Sequence, residues 1–86
     1  MRLRIDYYGP DKKRHPITLS GYAKEFLQQQ SVPYAATIDA ALATFLLVPP
    51  GGDIMAAADS FINKAGYDGM SLSLLVEIAL SHYRRR

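Results

Sequence analysis

"MRLRIDYYGPDKKRHPITLS", residues 1–20, is the stretch on which the fold turns. Arg2, Arg4, Asp6 and Tyr8 alternate with Leu3, Ile5 and Tyr7, and further on Arg14, Pro16 and Thr18 alternate with His15, Ile17 and Leu19. A period of two sends successive side chains to opposite faces of a strand. Between the two runs, Gly9, Pro10 and Asp11 are turn formers. The stretch predicts an antiparallel hairpin with an apolar underside, on which His15 also falls, and arginines on its upper face. Pro16 has no N–H for a ladder hydrogen bond, so its strand should be an edge or irregular there.

Beyond the hairpin the period changes to that of helices. Ser20 is a plausible N-cap for a short helix over 21–30, with Tyr22, Ala23, Phe26 and Leu27 as its apolar stripe. Ser31 can cap a second helix over about 33–47, where Pro33 suits the first turn and Ile38, Ala41, Leu42 and Phe45 form the stripe. "VPPGG" ends it, and Asp53 should cap a third helix carrying Ile54, Ala57, Ala58, Phe61 and Ile62. After "GYDGM", Ser71 should cap a last helix whose polar positions Ser73, Glu77, Ser81 and Arg84 form one narrow strip. A helix apolar nearly all round belongs at the centre of a core, and Leu75, Ile78 and Ala79 are expected fully buried. The expected fold class is mainly α with a short N-terminal β-hairpin: two antiparallel strands plus four helices. One domain spans 1–86, divided into the hairpin (1–20), a first helix pair (21–47) and a second (53–86).

Composition narrows the function classes. Eighty-six residues leave room for one core, and a hydrophobic content of 49% argues against disorder. There is no cysteine, so neither disulfides nor thiolate metal sites are expected. The N-terminus lacks the apolar core of a signal peptide, and the longest uncharged run, 40–52, is too short to span a bilayer. A cytoplasmic protein without a membrane partner is expected. The net charge of +2 is unevenly spread: +3 over residues 1–20, −4 over 21–83 and +3 in the tail Arg84, Arg85 and Arg86. Basic ends around an acidic middle point to a polyanionic partner.

The two buried helices can be overlaid at an offset of 38 residues, pairing Ile38 with Val76, Asp39 with Glu77, Ala41 with Ala79, Leu42 with Leu80 and Phe45 with Tyr83. "MSLSLLVEIALSHY" resembles the second helix of the ribbon-helix-helix DNA-binding family, with Val76, Glu77, Ala79, Leu80 and Tyr83 in the matching places. "SVPYAATIDAALATF" looks like a degenerate copy. Dimers of that family contain two strands and four helices, the set found here in one chain. The resemblance therefore implies a single-chain pseudodimer, monomeric rather than homodimeric, binding double-stranded DNA. Unlike a tandem copy of the family unit, both strand candidates precede the first helix pair.

On that reading Arg2, Arg4, Arg14 and Thr18 make the base contacts, since a two-stranded ribbon fits the major groove and arginine can donate twice to guanine. Lys12, Lys13, Arg84, Arg85 and Arg86 would neutralise phosphates, and the helix starts near Ser31 and Ser71 could each hold one. The expected function is that of a small sequence-specific transcriptional repressor or mobile-element accessory factor. The alternative is a compact protein-interaction module without DNA binding, an antitoxin-like or phage-encoded inhibitor that uses its hairpin or acidic middle to block a partner, so that Asp39, Asp53, Asp59, Asp68 and Glu77 matter as much as the basic residues.

Catalysis finds little support. His15 and His82 are far apart and lack metal-ligand spacing, and no nucleophile elbow is present. "PPGGD" lacks the lysine of a phosphate-binding loop and reads as a helix stop followed by an Asp cap. Neither an enzyme activity nor a metal or cofactor is expected. The tyrosines Tyr22, Tyr34 and Tyr67 read as amphipathic lids at helix starts.

Overall fold

A computed structural model describes residues 2–65 and 70–85. Strands β1 (Arg2–Tyr8) and β2 (Arg14–Ser20) pair antiparallel, with Arg2 opposite Ser20, Ile5 opposite Ile17 and Tyr8 opposite Arg14. Four helices follow: α1 (Gly21–Gln29), α2 (Tyr34–Leu46), α3 (Ile54–Ala65) and α4 (Leu72–Arg84). The chain is thus mainly α with an N-terminal hairpin. The "GYDGM" break, with Tyr67 and Asp68, lies largely outside the described residues.

The hairpin closes through the Lys12 N–H, which donates to the Gly9 carbonyl at 2.8 Å with Lys12 at φ 62°. Asp11 Oδ1 accepts from the Lys13 N–H at 3.1 Å. Alternation then sorts the side chains as the sequence requires. Tyr7, Ile17 and Leu19 are buried, Leu3, Ile5 and His15 half-buried, while Arg2, Arg4, Asp6, Tyr8, Arg14 and Pro16 face out.

Three helices start on side-chain caps: Ser20 accepts from the Ala23 N–H, Asp53 from Ala56 and Ser71 from Leu74, at 3.2, 3.0 and 3.2 Å. The fourth does not. α2 begins on Pro33 with no side-chain cap, and Ser31 lies in the link before it. Pro33 itself takes the N-cap position, so Ser31 stands two residues before the cap and not in it.

The core is built where α2 crosses α4. Ala41, Leu42, Ile38 and Thr37 of α2 and Ala79, Leu80, Val76 and Leu75 of α4 are all buried. Ile78, expected among the fully buried residues, is half-buried instead. Burial along α4 recurs as the pairs 75/76 and 79/80, a stripe of helical period that leaves position 78 on its flank. At the offset of 38 the burial of α2 and α4 agrees at every position except the third and the last. Each central helix also carries an edge-to-face aromatic contact with an outer one: Phe45 of α2 with Phe61 of α3 at 5.7 Å between ring centres, and Tyr83 of α4 with Phe26 of α1 at 6.2 Å. Tyr22 leaves the expected stripe of α1 and stands 74% exposed. Among the described residues, no helix is long and apolar enough to cross a membrane.

Candidate nucleic-acid interface

The outward face of the hairpin holds three exposed arginines. Arg14 lies 3.7 Å from Asp6 in an ion pair across the strands. Arg2 and Arg4 have no ion-pair or hydrogen-bond partner among the described residues. Thr18 stands directly opposite Arg4 and is half-buried. Lys12 and Lys13 are exposed at the turn, beyond Arg14.

The edge of β2 is closed by α4. The Thr18 N–H donates to Ser73 Oγ at 3.0 Å, the Ser20 N–H to Glu77 Oε1 at 2.8 Å, and the Ser20 hydroxyl to Glu77 Oε2 at 2.8 Å. These amides point away from β1, so Pro16, in phase with them, directs its missing N–H outward as well and breaks no ladder bond. The closure seats the start of α4 beside the ribbon. Arg2, Thr18, Ser71 and Ser73 consequently line one open groove of about 450 Å³. A neighbouring groove of about 340 Å³ shares Ser20 and Glu77 and reaches Arg84. Ribbon and C-terminal arginine thus border one continuous stretch of surface. Arg85 is exposed at the end of α4 and Arg86 lies outside the described residues. Ser31 joins neither groove.

Of the acids that the interaction-module reading invokes, Asp68 lies outside the described residues, and the other four stand in different settings. Glu77 is committed to Ser20, Asp53 caps α3, and Asp39 accepts a hydrogen bond from Tyr7 Oη; Asp59 is exposed. Burial raises the Asp39 pKa above the usual carboxylate range, with the Tyr7 bond opposing and the charge of Asp11 adding to it. Burial and the adjoining Asp39 push the Tyr7 phenol up. Asp11 is held low, first by the Lys13 backbone N–H and also by His15, 3.0 Å away. Asp39 and Glu77 stand at equivalent positions of the 38-residue overlay, and each receives a donor from the hairpin. Their shared spacing was visible in the sequence, but their hydrogen-bond partners were not.

Among the described residues no group of three His, Cys, Asp or Glu side chains could hold a metal. His82 is exposed and packs on Phe45 at 5.0 Å between ring centres.

No family model, curated protein or solved structure matches the chain. The functional reading rests on its own residues and geometry.

Proposed function

We propose that the protein binds double-stranded DNA as a monomer, laying the outward face of its β-ribbon in the major groove. One observation carries the reading: the register sets Arg2, Arg4 and Arg14 on the exposed side of a two-stranded ribbon whose other side is packed on helices. Such a ribbon fits the groove, and guanidinium groups donate to guanine O6 and N7. Matching burial along α2 and α4 supports a ribbon-helix-helix-like pseudodimer within one chain, which needs no second copy to complete the ribbon. Arg84 and Arg85, with the turn lysines, serve phosphates. A cytoplasmic repressor or mobile-element accessory factor is the role that fits this set and the absence of cysteine. The test is a mobility-shift titration of random duplex DNA over a salt series. Affinity should fall linearly with salt on logarithmic axes; no shift even at roughly 50 mM salt refutes the reading.

A protein partner is the second reading, favoured by Leu47. This leucine is 86% exposed and held at φ 59°.

A further inference from the structure

We propose that the ribbon reads a duplex site whose two halves differ, so that the protein binds in one orientation only; the proposal rests on the DNA-binding reading above. An antiparallel pair has a local two-fold axis, here midway between the facing residues Ile5 and Ile17. That axis relates each residue of β1 to the one twelve positions later in β2. A ribbon made from two identical chains would present the same side chain at both positions, and its target would be palindromic. This ribbon does so only once on its outward face, where Arg2 corresponds to Arg14. Arg4 corresponds to Pro16, Asp6 to Thr18 and Tyr8 to Ser20.

Even the matched pair is not equivalent. Arg14 is engaged by Asp6 at 3.7 Å, whereas Arg2 has no partner among the described residues. The half of the face toward the strand termini therefore offers two unengaged guanidinium groups, Arg2 and Arg4, with Thr18 across from Arg4. Guanine, which presents O6 and N7 acceptors, is the base this half selects. The half toward the turn offers an acceptor beside a donor. Asp6 can accept from cytosine N4 while Arg14 donates to guanine, and these groups lie side by side on the major-groove edge of a G·C pair. Pro16 adds only apolar contact, which suits a thymine methyl. The two halves thus ask for different sequences.

The experiment is enrichment of a random duplex library on the full chain. It is followed by binding measurements on the selected site and on two palindromes made by duplicating each of its halves. A non-palindromic site should emerge, with guanine in one half, and each palindrome should bind at least about fivefold more weakly than the selected site. Arg4→Ala should relax base preference in the guanine half alone, and Asp6→Asn in the other half alone. A palindromic consensus, equal binding of the selected site and both palindromes, or an Asp6→Asn variant altered in both halves alike would overturn the asymmetry while leaving DNA binding intact. Failure of the library to enrich any sequence overturns both the asymmetry and the sequence-specific reading beneath it.

Discussion

Glu77 holds Ser20 with both carboxylate oxygens, taking its backbone N–H at one and its hydroxyl at the other, each at 2.8 Å. The same Ser20 hydroxyl accepts from the Ala23 N–H, so its donor and acceptor capacities are both used. One acid on α4 therefore fixes the end of β2 and the start of α1 together. Glu77→Ala leaves the Ser20 N–H without its acceptor in a partly buried place and should cost about 1–3 kcal/mol in urea unfolding. Glu77→Gln keeps one acceptor and should cost less. Equal stability of the wild type and the alanine variant would show that solvent replaces the carboxylate at no cost.

The centre of the core should be strongly graded. Leu75 is fully buried, so Leu75→Ala should cost about 2–5 kcal/mol. Ile78→Ala, at a half-buried flank, should cost clearly less. Comparable losses in thermal melts of the two variants would contradict the stripe that the structure assigns to α4.

Leu47 ends α2 in the left-handed region, a conformation that costs an L-residue about 1–2 kcal/mol. The turn is a common helix stop, with the Val48 N–H reaching the Ala43 carbonyl at 2.9 Å, but glycine usually occupies it. Leucine's exposed side chain contributes little burial. Leu47→Gly should raise stability by about 0.5–1 kcal/mol, the relief of strain exceeding the extra chain entropy of glycine. A lower melting temperature would mean that the leucine makes a contact that stabilises the fold.

Asp39 makes stability fall with rising pH. Its folded pKa is raised, so the folded chain keeps a proton at pH values where the unfolded chain, ionising near 4, has lost it. The contribution is complete below the unfolded value and is lost as pH rises through the folded one. Tyr7, also raised, acts in the same direction above about pH 10. Against an Asp39→Asn reference, which does not titrate, the wild type should lose relative stability as pH rises from about 4. Tyr7→Phe removes the bond that lowers Asp39 and should extend that loss to higher pH. A pH-independent difference between wild type and Asp39→Asn would rule this out.

DNA binding should separate base from phosphate contacts. Arg4→Ala should weaken a specific site by about 1–3 kcal/mol, whereas Lys13→Ala should weaken all sequences alike and flatten the salt slope by about one unit. Both side chains are exposed, so circular dichroism spectra should not change. If deletion of the terminal arginines abolished binding while Arg4→Ala left it intact, the tail would be the contact and the ribbon only architecture.

The sequence by itself determined the elements. Alternation in residues 1–20 set the faces of both strands, and Ser20, Asp53 and Ser71 marked three helix starts, because strand faces and caps depend on neighbours within a few positions. It failed where residue type did not fix position or where the relevant neighbour was distant. Ser31 does not cap because the helix starts at Tyr34 with Pro33 in the N-cap place, and a favourable residue type does not by itself fix where the first turn begins. Ile78 was placed at the centre because an almost wholly apolar helix does not reveal which of its sides meets a partner. Ser73 and Glu77 read only as part of one narrow polar strip, and the docking of α4 on β2 is what turned them onto amides 55 and 57 residues away. Tertiary structure decided that pairing, since a strand's edge amides must find acceptors wherever packing brings them, and no spacing along the chain records where that is.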